Sequence, residues 1–342
     1  MKVAVIGATG AVGREMTRIL QDRAFPVDGF VPLASARSEG LPVTFAGSEH
    51  RIHELTVEAC RGVDVAFVSA GADIARRFLP DIAANGTLCI DNSSAFRMEP
   101  DVPLMIPAVN PEALVGWPKP GIISVPNCTT ITAMLALAPL HRAARCTSLV
   151  MSSYQAVSGA GHKAIAELLE QVEKLRGDEE ALAHPDVAAL PSGPVMGRTI
   201  AYNVVPRIGA FELDGFTGEE AKMMAEPRKI LSAPELPVVA TAVRVPVLVG
   251  HAVSILAEFA RPITPEEARD ILRDAPGVEV RDDPAEDVFP TSVDAVGGDV
   301  AIVGRIRQVP GRHDALVLFS CADNLRAGAA LDAVQIAEHL YK

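Results

Sequence analysis

The chain has 342 residues, 49% of them hydrophobic, and a formal net charge of −12 from 31 Lys and Arg against 43 Asp and Glu. That is enough apolar material for a substantial core and two domains, while the acidic balance argues against nonspecific nucleic-acid binding, which depends on a basic surface to neutralise phosphates. The five cysteines are irregularly spaced without a CxxC pair, so neither a disulfide framework nor a metal site is indicated and a reducing cytoplasm fits.

Lys2 to Ile6 is a short apolar, β-branched run that breaks at Gly7, with no small-residue cleavage pattern after it, so a signal peptide is not expected. No apolar run is long enough to cross a membrane. Gly7-Ala8-Thr9-Gly10-Ala11-Val12-Gly13 follows, then a helical pattern from Arg14 to Gln21. Strand, glycine turn and helix in that order let the backbone approach a pyrophosphate, whose charge sits at the helix N-terminus. The G-x-x-G-x-x-G spacing differs from the G-x-G-x-x-G fingerprint; the position between strand and helix gives it value. A second strand, Gly29 to Leu33, runs into Ala34-Ser35-Ala36-Arg37-Ser38. A basic residue at this register accommodates a ribose 2′-phosphate where an acidic one would favour the bare hydroxyl, so Arg37 points to NADP, with a solvated loop charge as the plain alternative.

Strands are expected next at Val63 to Ser69, Thr87 to Asp91 and Gly121 to Val125, an alternation with helices that implies a parallel sheet. Pro126-Asn127-Cys128-Thr129-Thr130 then sets a cysteine at the start of a helix expected over Thr129 to Leu140. Unpaired amides at a helix N-terminus favour the thiolate, the reactive form of cysteine, which makes Cys128 a candidate nucleophile. Cys60, Cys89, Cys146 and Cys321 read as buried structural residues.

Beyond Cys128 the pattern changes. Strands at Thr147 to Gln155, Thr199 to Val205, Val238 to Val245, Val253 to Phe259 and Ala315 to Ser320 mix with helices at His162 to Leu175, Glu219 to Ile230 and Pro265 to Ala275, an α+β arrangement. Gly177 to Gly197 is expected to be irregular. A closing helix, Arg326 to Leu340, with Ala329, Ala333, Ile336, Ala337 and Leu340 at helical intervals, is expected to return to the first domain. Within the second part, Arg244 and His251 bracket one short segment. An arginine can hold a carboxylate through two parallel hydrogen bonds, and a histidine can exchange protons near neutrality. Each alone, like Arg97 in its loop or the Glu219–Lys222 pair three apart on a helix, reads equally well as an ordinary surface or structural residue.

Taken together, GATGAVG at 7 to 13, LASARS at 33 to 38, DNSSAFR at 91 to 97, PNCTT at 126 to 130, SYQAVSGAG at 153 to 161, EEAKM at 219 to 223, RVPVLVGH at 244 to 251 and DNLRAGAALDAVQIAE at 323 to 338 resemble the aspartate-semialdehyde dehydrogenase family along nearly the whole chain. The resemblance implies an α/β protein: a Rossmann-type NADP-binding domain from residues 1–127 and 322–342, and an α+β catalytic and dimerisation domain from 128–321. It implies Cys128 as the acyl-forming nucleophile, His251 as acid/base, and Gln155 orienting the substrate. Arg244 and Glu219 would hold the substrate carboxylate and ammonium, and Arg97, Lys222 and Asn127 the phosphate. Gly7, Thr9, Gly10, Ala11, Val12, Gly13, Ser35, Arg37, Ser38, Ser158, Gly159 and Asn324 would contact NADP. The substrates would be aspartyl phosphate, aspartate semialdehyde and phosphate, in a cytoplasmic homodimer or dimer of dimers that serves lysine, diaminopimelate, threonine, methionine and isoleucine biosynthesis.

Two departures stand out. The family commonly continues Ser-Glu after the histidine where this chain has Ala252-Val253, which bears on how His251 is supported. Pro227 interrupts a usually continuous polar stretch and is expected to bend or end the helix carrying Glu219 and Lys222. Acetylglutamyl-phosphate reductase and glyceraldehyde-3-phosphate dehydrogenase share the thioester chemistry, but the first usually has Pro-Gly-Cys and the second Cys-Thr-Thr-Asn, where this chain has Pro126-Asn127-Cys128 and Ile131. A non-catalytic paralogue and a nucleotide-sensing module are the alternatives outside enzyme chemistry.

Overall fold

The computed structural model describes every residue except Lys119, Leu213 and Lys342. The chain divides into two compact units, one of Met1–Pro139, Ala225–Glu235 and Leu325–Lys342, the other of Leu140–Met224 and Leu236–Asn324.

The first unit opens with β1 (Lys2–Ile6), α1 (Ala11–Asp22) and β2 (Gly29–Ala34), followed by a hairpin of β3 (Pro42–Phe45) and β4 (Ser48–Arg51). It continues through β5 (His53–Glu54), β6 (Val65–Val68), α2 (Ala72–Ala84), β7 (Leu88–Asp91) and β8 (Ile122–Ser124) to α3 (Cys128–Ala144). The six-stranded sheet has the order β5-β2-β1-β6-β7-β8, and every pairing in it is parallel. Strands of such a sheet are covered on both faces, which is why Val3, Val5, Val65 and Phe67 are all fully buried and the strands read as continuous apolar runs. Because β1 pairs with β2 on one side and β6 on the other, the glycine turn after β1 lies at the switch point of the sheet, where such folds bind ligands.

The second unit contains β9 (Cys146–Gln155), α4 (His162–Leu175), α5 (Glu179–Ala183), the start of α6 (Gly218–Ile230), β10 (Val238–Arg244), β11 (His251–Phe259), α7 (Pro265–Arg273), β12 (Val278–Val280), β13 (Ala301–Gln308) and β14 (Ala315–Ala322). Its sheet is mixed, in the order β10-β9-β11-β14-β13-β12, with antiparallel pairings from β9 through β13. The chain ends in the first unit with a π-helical turn, Arg326–Ala330, running into α8 (Leu331–Tyr341).

The α/β architecture is as expected, with local differences. The expected strand over Thr199 to Val205 is not formed. Gln171 Oε1 on α4 accepts the N–H groups of Ile200 and Ala201 at 2.7 and 3.1 Å, so a side chain satisfies backbone donors that a ladder would otherwise take, and only Val205 bridges to Arg244. The β3–β4 hairpin, β5, β12 and β13 have no counterpart in the sequence reading, and the stretch expected to be irregular over Gly177 to Gly197 contains α5; the hairpin turns at Ala46 and Gly47, whose φ angles of 47° and 76° suit a tight reverse turn. The closing helix is not uniform but begins with the π-helical turn. Finally, Pro227 does not end α6, which continues to Ile230. Lys229 Nζ, beyond the proline, donates to the carbonyls of Arg97, Glu99 and Val102 at 2.7–2.9 Å, anchoring a turn that the proline would otherwise loosen.

The glycine turn tolerates no side chain. Gly7 has φ +86°, and a Cβ there would lie 2.2 Å from the Ser69 carbonyl oxygen; a Cβ on Gly13 would lie 2.2 Å from the Gly7 carbonyl oxygen. Gly7→Ala is expected to destabilise the first unit by about 1–3 kcal/mol through backbone strain alone, with the clash adding to it. A denaturant melt, together with nucleotide binding by calorimetry, checks this, and a variant that melts and binds like the wild type would refute it.

Candidate active site

In the first unit the dinucleotide turn runs from β1 into α1. Gly10 flanks the helix in an extended conformation, its carbonyl accepting the Arg14 N–H at 3.0 Å. At this turn lies a cavity of about 520 Å³, whose lining includes Gly7, Thr9, Gly10, Ser35, Glu54 and Arg77. Glycines without room for a Cβ beside a cavity at the switch point fit a pyrophosphate-bearing dinucleotide. Arg37 is exposed on a short 3-10 turn, Ala36–Ser38, directly after the cavity-lining Ser35 and Ala36, and Ser38 closes that turn. Glu54 and Arg77 went unnoticed in the sequence because the two-residue β5 leaves no strand pattern to read around Glu54, and Arg77 lies within α2 away from any glycine motif.

Cys128 is the first residue of α3 and is half-buried. Asn127 caps the helix: its carbonyl accepts the Ile131 N–H at 2.9 Å, and its Oδ1 accepts the N–H groups of Thr129 and Thr130 at 2.9 and 3.2 Å. The N–H of Asn127 donates to Glu226 Oε2 at 2.7 Å. Arg97 is also buried; its Nε donates to the Val125 carbonyl at 2.9 Å, Nη2 to the Asn92 carbonyl at 2.8 Å and Nη1 to Glu226 Oε1 at 2.9 Å. Sequence reading missed Glu226, and a buried acid in EEAKMMAEPRKI carries no local signal of its partner 129 residues away.

The second unit gathers the other polar groups. His251 opens β11, is fully buried, and its Nδ1 accepts the Ala156 N–H at 3.1 Å. With Nδ1 an acceptor, the neutral ring carries its proton on Nε2, which has no hydrogen-bond partner among the described residues. Burial, then the Arg244 guanidinium, lowers the His251 pKa to about 3, against an opposing pull from Glu219. Arg244, at the end of β10, donates from Nη1 to the Ala156 carbonyl at 2.7 Å. Gly159 packs against these two groups without room for a side chain: a Cβ there would come within 3.0 Å of Arg244 Nη1 and 3.1 Å of His251 Nε2.

Glu219, 7% exposed in the first turn of α6, accepts from Gln155 Nε2 at 3.1 Å and from Lys222 Nζ at 3.0 Å. Its place is set by a capping box at Thr217 and Glu220. The Thr217 N–H donates to Glu220 Oε2 at 2.7 Å, and the Glu220 N–H reaches back to Thr217 Oγ1 at 3.4 Å. The Thr-x-x-Glu spacing was there to be read. Ser158 Oγ lies 3.0 Å from Asn324 Nδ2, and Asn324 Oδ1 accepts the Gly250 N–H at 2.9 Å.

Comparison with known proteins settles the kinship. Residues 2–117 match the family model of the semialdehyde dehydrogenase NAD binding domain, and residues 137–327 that of the semialdehyde dehydrogenase dimerisation domain. The aspartate-semialdehyde dehydrogenase of Aquifex aeolicus is 45% identical over 342 residues, 100% of this chain and 98% of that one. The chain belongs to the aspartate-semialdehyde dehydrogenase family. The Bacillus subtilis enzyme of that name is 41% identical, with 100% of this chain and 98% of that one covered. Among solved structures, aspartate semialdehyde dehydrogenase II from Vibrio cholerae superposes with a TM-score of 0.91 at 40% identity, covering 99% of this chain and 98% of that one, and is known also complexed with ASA. The Candida albicans aspartate semialdehyde dehydrogenase with NADP gives 0.73 at 26% identity, covering 99% and 98%. No three His, Cys, Asp or Glu residues are disposed to hold a metal among the described residues. Nor is any described helix long and apolar enough to cross a membrane.

The buried imidazole makes a pH expectation. Because folding lowers its pKa from 6.5 to about 3, protons bind the unfolded chain preferentially, so its share of stability is complete above pH 6.5 and is lost progressively as pH falls towards 3. Wild-type melting temperature should therefore drop between pH 6.5 and 4 more steeply than that of His251→Gln; parallel curves would contradict a neutral, buried ring.

Proposed function

We propose that this protein is an NADP-dependent phosphorylating aldehyde dehydrogenase that reduces L-4-aspartyl phosphate to L-aspartate 4-semialdehyde, releasing phosphate, through a thioester on Cys128. The observation that carries the reading is Cys128 at the first position of α3, behind the Asn127 cap, in a chain matched to the family over its whole length. The ASA complex of the Vibrio cholerae relative supports the substrate, and the NADP complex of the Candida albicans relative supports the cofactor.

The roles follow from the chemistry. The Cys128 thiolate, favoured by the helix N-terminus, attacks the acyl carbon of aspartyl phosphate, and phosphate leaves with the electron pair of the C–O bond. The chemistry the dinucleotide would supply, when bound as NADPH, is a hydride for the thioester carbonyl. His251 offers Nε2–H to the oxygen that becomes negative in the resulting thiohemiacetal, and in the oxidative direction serves the same oxygen as acid/base partner. Collapse of that adduct returns the thiolate and releases the aldehyde. Arg244 holds the substrate carboxylate through paired N–H donors, Glu219 its ammonium, and Gln155, tied to Glu219, orients the substrate. Arg97, Lys222 and Asn127 serve the phosphate. Gly7, Thr9, Gly10, Ala11, Val12, Gly13, Ser35, Arg37, Ser38, Ser158, Gly159 and Asn324 would hold NADP, Arg37 serving its 2′-phosphate. In this reading residues 1–127 and 322–342 bind the cofactor and 128–321 carry catalysis and dimerisation. The match to a dimerisation-domain model supports a homodimer or dimer of dimers, and a cytoplasmic location goes with the proposed biosynthetic role.

The deciding assay follows NADPH absorbance with L-aspartate semialdehyde, NADP and phosphate, beside reactions lacking phosphate or given N-acetylglutamate semialdehyde. Phosphate-dependent NADPH formation with the first aldehyde alone is expected; preference for the acetylated aldehyde would move the assignment to the acetylglutamyl-phosphate reductase class. Cys128→Ala should lower turnover at least about 10⁴-fold, as loss of a nucleophile does, and near-normal turnover would remove the thioester from the scheme. Arg37→Asp should shift the ratio of kcat/KM for NADP over NAD towards NAD by about 10-fold or more; an unchanged ratio would sink that residue's role.

A further inference from the structure

Glu226 is a carboxylate buried beside the nucleophile turn, at 1% exposure. Its two oxygens are divided between two elements of the reaction: Oε1 accepts from Arg97 Nη1 at 2.9 Å, and Oε2 from the N–H of Asn127 at 2.7 Å. Cys128 is the next residue. Arg97 is tied to the same turn a second time, through the 2.9 Å bond from its Nε to the Val125 carbonyl. A third bond, from Nη2 to the Asn92 carbonyl, fixes the guanidinium plane. Of the five N–H donors of an arginine, these bonds leave one on each terminal nitrogen, a fork suited to phosphate oxygens.

We propose that Glu226 is a positioning residue that holds the phosphate-binding arginine and the nucleophile turn in one fixed register; this rests on the assignment of Cys128 and Arg97 above. In an acyl phosphate the carbon attacked and the phosphoryl group that departs share a single bridging oxygen. The group that holds the phosphate and the sulfur that attacks therefore have to keep a constant separation, and small misplacements cost rate steeply. Two independent tethers between Arg97 and residues 125–127 supply that constancy. A buried ion pair is weak evidence for stability as such, since apolar replacement of such pairs is often neutral; what singles this one out is that its carboxylate also takes the main-chain N–H beside the nucleophile. A sequence search for catalytic acids would pass it over, because it touches no reactant.

Glu226→Gln is the decisive variant: same shape, no charge, and one acceptor oxygen exchanged for an amide donor that cannot face an N–H. The expected result is an NADP affinity like the wild type's, a kcat about 10- to 100-fold lower, a phosphate KM raised at least about 5-fold, and a semialdehyde KM close to the wild type's. Removing the carboxylate also leaves the Arg97 charge uncompensated, so the pH midpoint for iodoacetamide alkylation of Cys128 should move down even as turnover falls. A residue that served only the scaffold would move neither the midpoint nor one KM in isolation. Glu226→Asp keeps the charge but loses reach, and should leave the midpoint in place while the phosphate KM rises. Unchanged phosphate KM and midpoint in Glu226→Gln would overturn the proposal, as would loss of NADP binding in both variants, which would make the carboxylate a scaffold element. Wild-type protein without phosphate-dependent turnover would instead count against the enzymatic assignment, and the alkylation midpoints would still report on the link between Glu226 and the thiol.

Discussion

The hydrogen bonds that end the chain's course at Asn127 and begin α3 are the constraint on which the chemistry of the first unit depends. A thiol gives up its proton where negative charge is welcome, and the first turn of a helix offers N–H groups and the positive end of its dipole. Asn127 takes two of those groups, from Thr129 and Thr130, on its own side-chain oxygen. Glu226 in turn fixes the N–H of Asn127. The result is a turn in which the cap and the cysteine are adjacent in sequence, so that whatever orients one orients the other. Nothing here needs a high-energy backbone; it needs a buried acceptor in the right place.

The second unit solves a different electrostatic problem. It buries a histidine, an arginine and a glutamate, and such charges are costly unless paired or neutral. Each is handled by a near neighbour. Arg244 donates to the Ala156 carbonyl, Glu219 accepts from Gln155 and Lys222, and His251 stays neutral because burial and Arg244 both oppose a second proton. A neutral ring with its proton on Nε2 is suited to giving a hydrogen bond to an oxygen that is becoming negative, the task an acyl-transfer site has to perform.

How much of this was legible depends on whether the signal was local. Strand, glycine turn and helix at residues 2–22 could be read because the periodicities and the glycines sit together, and α4 from His162 to Leu175 because its apolar face repeats at helical spacing. The strand expected over Thr199 to Val205 failed because Gln171, about 29 residues earlier, claims the N–H groups that a ladder would have used. Glu226 was invisible for the same reason, since its meaning lies in Arg97 and Asn127, far away in the sequence. Thr217 and Glu220, by contrast, formed a capping box whose spacing was plain, and which explains why Glu219 begins a helix at all.

The Ala252-Val253 departure shows how a structure can turn an apparent defect into a matter of indifference. A change just after a working histidine matters if the lost side chain held the ring. Here the ring is held by a main-chain donor, Ala156 N–H, and main-chain groups do not change with sequence. Residues 252 and 253 are both buried in β11 and engaged in its ladders, Ala252 opposite Tyr154 and Cys321, and Val253 opposite Ser153 and Ser320. Alanine and valine suit those packed positions, where a charged side chain would need a partner of its own. The support of His251 therefore comes from the turn after β9, whose Ala156 N–H holds Nδ1, and Gly159 in the same turn leaves Nε2 clear of a crowding side chain.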